Sequence, residues 1–192
     1  MKWVLASFNP GKLKEMQALM PDTIEMISIA EWPDAEEPEE NADTLEGNAL
    51  IKAEYAYALT GYPSLADDTG LFVAALNGAP GVYSARYAGE PADSQKNIQK
   101  LLSELQEHSN RRAEFRTVIA LVGRGEPLFF TGVLKGSIAL KPSGTKGFGY
   151  DSVFKPEGSE GTLAEYSPEE KNAISHRGKA MRALSAFVRT LY

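Results

Sequence analysis

Cysteine is absent from the 192-residue chain, so disulfide bonds and thiolate chemistry are both excluded. That absence fits a reducing, cytoplasmic setting. Long hydrophobic runs are missing too: none approaches the roughly 20 apolar residues that a bilayer core requires, so no membrane span is expected. The opening run "KWVLAS" is too short for a secretory signal, and a mature N-terminus is expected. Positive charge is in short supply. A formal net charge of −6 argues against the broad basic face that binds nucleic-acid backbones, while leaving room for one small anion in a locally basic pocket. The chain has no P-loop, and "GTKGFG" (144–149) lacks the spacing of a dinucleotide-binding turn. There are no repeats and no low-complexity tail. Hydrophobic residues at 43% and charged residues at 24% are ordinary for a globular domain, and the length suffices for one full core.

The hydrophobic periodicity alternates between strand and helix in the first half. "KWVLAS" (2–7) reads as a buried strand, "NPG" as a break, and "KLKEMQALM" (12–20) as a helix with Leu13, Met16 and Met20 on one face. A second strand is predicted at 23–29, then an acidic, proline-bearing loop. Thr44 is the predicted N-cap of a helix over 45–59, and "PSLADDTG" (63–70) the strand that ends in two acids. Asp93 is predicted to cap a helix with Ile98, Leu101, Leu102 and Leu105 inward. Two longer strands, 113–123 and 127–140, flank the turn "RGE". Ser167, Pro168 and Glu170 have the pattern of a capping box with proline at the first helical position. One long last helix is expected, with Met181, Leu184, Val188 and Leu191 inward. Early alternation followed by strand pairs predicts an α/β protein with a mixed sheet, organised as a single domain over 1–192.

Several stretches carry chemistry. In "SFNPGK", a strand–turn–helix start offers backbone N–H groups to an anion, with Ser7, Asn9 and Lys12 as further donors. In "LADDTG", adjacent carboxylates repel unless a cation or proton relieves them, and a hard cation such as Mg²⁺ suits carboxylate and phosphate oxygens alike. Adjacent strand residues face opposite ways, so one of Asp67 and Asp68 is expected to face the site and the other to make structural bonds. The loop glutamates Glu36, Glu37, Glu39 and Glu40 offer one more ligand. Asn48 and Lys52 share a helix face, within reach of a phosphate. Phe148, between glycines, can stack on a flat ring, and Lys171, His176 and Arg177 are donors for such a ring's edge. Each stretch alone has a bland reading: a turn, a solvated acid pair, a core Phe, a helix-end histidine. Together they are the parts of a nucleoside triphosphate site.

The ordered set "SFNPGK", "GNALIKA", "ADDTGL", "GAPGVYSARYAG", "GFGYDSVF" and "EEKNAISHRGKA" resembles the inosine triphosphate pyrophosphatase family, from the first strand to the last helix. The resemblance implies an elongated α/β fold, with a mixed central β-sheet flanked by helices and two lobes with a cleft between them. It implies a cytoplasmic homodimer, dependent on Mg²⁺, that hydrolyses ITP, dITP and XTP to the monophosphate and pyrophosphate. Ser7, Phe8, Asn9, Pro10, Gly11 and Lys12 would hold the triphosphate; the family usually has Thr-Gly-Asn where this chain has Ser7-Phe8-Asn9. Asp68 would be proton acceptor and metal ligand, with Glu39 as second ligand. Lys52 would act on the leaving group and Thr69 would contact substrate. Phe148, Gly149, Tyr150 and Asp151 would frame the base, with Lys171, His176 and Arg177 binding it as well. The alternatives are a pyrophosphatase for another modified nucleotide, as in the related septum-formation inhibitor family, and a non-catalytic nucleotide sensor.

Overall fold

In a computed structural model, residues 1–191 are described. Seven strands form one sheet in the order β2-β1-β3-β5-β6-β7, with β4 paired to β3 off this path. The strands are β1 Lys2–Leu5, β2 Glu25–Ser28, β3 Ser64–Val73, β4 Pro80–Gly81, β5 Arg112–Val122, β6 Leu128–Ile138 and β7 Phe154–Pro156. β1 runs parallel to β2 and β3, whereas β3–β4 and β6–β7 are antiparallel, so the sheet is mixed as expected. The helices are α1 Pro10–Leu19, α2 Leu45–Thr60, α3 Ser94–Glu104, α4 Pro168–Ile174 and α5 His176–Val188.

The chain forms two compact units, whose boundaries fall inside β3, β5, β6 and α5. The first takes Met1–Asp68, Thr117–Gly132 and the chain from Lys179 on. The second takes Thr69–Arg116 and Val133–Gly178.

In the first unit β1 is buried on both faces, as its unbroken apolar run requires of a parallel strand. Trp3 and Leu5 pack with Met16 of α1, with Met20 just after it, and with Met181, Leu184 and Val188 of α5. On the other side Val4 packs with Ala56 of α2, while Ala49 and Ala53 of the same helix meet Ala66, Ala120 and Val122. Small side chains three and four apart give α2 a narrow stripe and a close approach. In the second unit, Ile98 and Leu101 of α3 and Leu105 at its C-cap cover Phe115, Leu134, Ile138 and Phe154.

Local chemistry set the helix starts. Thr44 Oγ1 accepts from the Gly47 N–H at 3.0 Å, Asp93 Oδ1 from Gln95 at 2.9 Å, and Ser167 and Glu170 form the reciprocal capping box.

The structure corrects three expectations. The last helix is two, broken at Ser175, whose backbone is extended (φ −62°, ψ 154°) and whose Oγ accepts from the Gly178 N–H at 3.0 Å. Leu191 lies beyond α5 and is exposed, not inward. And β3 does not stop at the acids but runs on to Val73. Gly70 permits this, because a Cβ there would lie 2.5 Å from the Gly81 carbonyl oxygen; only glycine lets the two backbones approach so closely.

Candidate active site

In the first unit the chain leaves β1, bends at Ser7-Phe8 and enters α1. Asn9 is the N-cap: its Oδ1 accepts from Gly11 N–H at 2.8 Å and Lys12 N–H at 3.4 Å. Two donors of the turn are thus already held by the protein's own amide. Ser7 Oγ accepts from the Asn9 N–H, and Ser28 Oγ donates to the Ser7 carbonyl. Phe8 is exposed, as are Asn9, Pro10 and Gly11.

The adjacent acids of β3 face opposite ways and each takes one lysine. Asp67, buried, accepts from Lys12 Nζ at 2.8 Å. Asp68 Oδ1 lies 3.3 Å from Lys52 Nζ, which also meets Glu40 Oε1 at 2.5 Å. Asp67 thus ties β3 to Lys12 in the first turn of α1. Asp68 Oδ2 is buried and has no hydrogen-bond partner. Asn48 lies close enough to favour the Asp68 carboxylate slightly, yet its Nδ2 makes no hydrogen bond of normal geometry. Burial pushes Asp68 above the usual carboxylate range; Lys52 opposes the shift and Glu40 adds to it. Burial works against the charge of Lys52, but Asp68, Glu40 and Asp67 outweigh it and raise its pKa.

The loop glutamate that the structure brings to this group is Glu40. Glu39 is exposed and makes no ion pair; Glu40 stands at Lys52, beside Asp68. Two bonds from α2 fix the loop's register. Tyr55 Oη accepts from the Glu36 N–H at 2.8 Å, and buried Asn48 Oδ1 accepts from the Ala42 N–H at 3.0 Å. Neither bond leaves a periodic trace in a run of four glutamates.

Among the described residues no three His, Cys, Asp or Glu side chains converge as a preformed metal cage. Asp68 and Glu40 are a two-carboxylate set, with one buried oxygen unsatisfied. That set fits Mg²⁺, which takes one or two carboxylates and completes its shell with water and substrate phosphates.

In the second unit, Phe148 precedes a short 3-10 turn, Gly149–Ser152, with its ring 69% exposed. Asp151 is buried and holds the turn: its Oδ2 accepts from the Phe148 N–H at 2.8 Å and from Lys171 Nζ. Lys171 in turn lies 4.6 Å from the Phe148 ring centroid, a cation–π contact. An exposed flat ring beside a fixed ammonium donor can hold a heteroaromatic base by stacking and by its edge. Tyr150 differs from its neighbours: it is buried, and its hydroxyl donates to the Ser84 carbonyl at 2.8 Å. His176, the first residue of α5, is buried and stacks on Phe115 with centroids 4.7 Å apart and planes 18° apart. Arg177 and Thr69 are half-buried.

The Ham1 family model matches residues 3–187. The chain belongs to the Ham1 family. A dITP/XTP pyrophosphatase of Flavobacterium johnsoniae is 50% identical over 184 residues, 96% of each chain. Among solved structures, the Ham1 protein of Staphylococcus aureus superposes with a TM-score of 0.95 at 42% identity, covering all of both chains. A HAM1 protein of Coxiella burnetii does so at 0.95 and 46%, covering 99% of each. The Ham1 match and these relatives extend the motif resemblance over nearly the whole chain, and the Ham1 fold is this chain's fold.

Proposed function

We propose that the protein hydrolyses non-standard purine nucleoside triphosphates (ITP, dITP and XTP) to the nucleoside monophosphate and pyrophosphate. The observation that carries the reading is Asp68: a half-buried carboxylate of raised pKa, with one oxygen buried and unpartnered, beside Lys52 and Glu40, in a Ham1 chain 50% identical to a dITP/XTP pyrophosphatase.

The chemistry follows from these groups. Asp68 Oδ2 takes a proton from water as the water oxygen bonds to the α-phosphorus and the bond from that phosphorus to the β-bridging oxygen breaks. A raised pKa suits an acceptor that must work near neutrality. Lys12 and Lys52 exchange their carboxylate partners for phosphate oxygens and meet the charge that builds on departing pyrophosphate. Mg²⁺, held by Asp68 and by Glu40 in place of the expected Glu39, would neutralise triphosphate charge. The turn Ser7–Lys12 accommodates the phosphates, with Thr69 beside them. Phe148 stacks on the base; Lys171, His176 and Arg177 donate toward the C6 oxygen of hypoxanthine or xanthine. Adenine presents an amino group there, and a polar site left unpaired discriminates by orders of magnitude. The buried stack of His176 on Phe115 gives it a fixed orientation for that task. Two further features belong to the same proposal. The absence of cysteine supports a cytoplasmic location, and the family resemblance alone supports a homodimer. Among the described residues no helix is long and apolar enough to cross a membrane.

The test is a panel of ITP, dITP, XTP, ATP and GTP with Mg²⁺, read as kcat/KM. ITP, dITP and XTP are expected to exceed ATP by at least about a hundredfold, the discrimination that an unpaired polar site supplies. Turnover confined to modified pyrimidine triphosphates would replace this reading with the septum-formation type. Tight binding without turnover would make the protein a sensor.

A further inference from the structure

"GAPGVYSARYAG" (78–89) is one of the two longest motifs of the chain, yet none of its residues is among the proposed site residues. Its centre, Ser84, is buried and bonded on every side. Ser84 Oγ accepts from the Leu71 N–H of β3 at 2.8 Å and donates to the Gly81 carbonyl at 2.6 Å. The Ser84 carbonyl accepts from Tyr150 Oη at 2.8 Å and, more weakly, from Asn97 Nδ2 at 3.4 Å. Asn97 of α3 ties down the rest of the segment, donating to the Ala85 carbonyl at 2.8 Å and accepting from the Ala88 N–H at 2.6 Å.

The Leu71 bond matters because, β5 apart, the neighbours of β3 pair with it only near its two ends. β1 pairs with β3 only at Ser64 and Leu65, and β4 only at Leu71 and Phe72. Asp67, Asp68, Thr69 and Gly70 lie between these two ladders. β4 is two residues long and its Pro80 has no N–H to give. A side-chain oxygen, Ser84 Oγ, therefore fixes the strand just after the acids. The Tyr150 bond matters for the other cluster. Tyr150 directly precedes Asp151, whose carboxylate holds Phe148 and Lys171. Burial keeps the Tyr150 phenol protonated and hence a donor.

We propose that Ser84 is a positioning residue: its side chain sets β3 behind Asp68 and Thr69, and its carbonyl, through Tyr150, sets the turn that carries Phe148 and Asp151. The motif's function is then to hold the part of β3 that follows the acids and the turn of the base cluster, without touching substrate. The inference rests on the proposed pyrophosphatase reading. Failure of that reading would appear in the wild type, as absent preference for ITP over ATP; failure of this inference appears only in variants.

The experiment compares wild type, Ser84→Ala and Tyr150→Phe, with kcat and KM for ITP and ATP and a melting temperature for each. Tyr150→Phe keeps the ring and removes one bond. The ITP-to-ATP ratio of kcat/KM is expected to fall about two- to tenfold, the range of one neutral hydrogen bond, mainly through KM for ITP. Ser84→Ala keeps the carbonyl but removes the Oγ bonds that fix it, so it is expected to lower kcat for both nucleotides and to lower the ratio as well. The double variant should discriminate no worse than Ser84→Ala alone, because groups acting as one unit are not additive. A wild-type ratio in either folded variant, with only the melting temperature lowered, overturns the proposal. Should Ser84→Ala fail to fold, Tyr150→Phe decides alone.

Discussion

Asp68→Asn is expected to lower kcat for ITP by about 10²- to 10⁴-fold, the contribution of a positioned proton acceptor, and to leave the protein at least as stable as the wild type. The two halves have one cause. The folded environment disfavours the charged carboxylate, chiefly by burial and then by Glu40, and Lys52 offsets this only in part. The folded pKa lies above the unfolded one, so between them the native state binds more protons than the unfolded state. Stability therefore falls as pH rises through that window, from the ordinary carboxylate value up to the raised one. Above the raised value the wild type carries the full cost of the charge. Asparagine has nearly the same shape and no charge, so it removes that cost. Lys52 keeps Glu40 as partner in the variant. Melting curves from pH 4 to 8 check the second half: the wild type should lose stability with rising pH relative to Asp68→Asn. Near-normal turnover in the folded variant, or a large drop in its melting temperature at neutral pH, contradicts the assignment.

Gly147→Ala is expected to cost activity too, less steeply and for a different reason. Gly147 has φ +78°, a conformation that side chains rarely adopt, and a Cβ there would overlap the Asp151 carboxylate. Asp151 is the group that gathers the Phe148 N–H and Lys171. Displacing it leaves Lys171 without its buried counter-ion and Phe148 without its anchor. One charge-assisted hydrogen bond is worth about ten- to a hundredfold, so kcat/KM for ITP should fall by that much, with a lower melting temperature from backbone strain. ATP, which gains least from the base cluster, should lose less. Equal losses for ITP and ATP would show that Asp151 serves the fold and not the base.

What the sequence revealed, and what it hid, follows from how local each determinant is. Thr44, Asp93 and Ser167–Glu170 act on backbone groups two or three residues away, so their caps are legible in a window of four residues. The same holds for the buried run of β1. The adjacent acids of β3 are visible as a repulsion that needs a cation, and the structure supplies a lysine to each. The choice between Glu39 and Glu40 was hidden because it depends on Tyr55 and Asn48 clamping a loop from a helix later in the chain. Tyr150 was hidden among the base-framing residues because its partner, the Ser84 carbonyl, lies 66 residues away. The break at Ser175 escaped because serine is tolerable inside a helix; only the Gly178 N–H bond shows it starting a new one. The strand running through the acids to Val73 depended on Gly70 meeting a backbone that sequence alone does not bring near.

The central claim is water attack at the α-phosphorus, and it can be read from the position of one oxygen atom. ITP turned over with Mg²⁺ in ¹⁸O-labelled water should give labelled IMP and unlabelled pyrophosphate, with no IDP at any time. Label in the pyrophosphate, or IDP accumulating before IMP, would place the attack at another phosphorus and contradict the account.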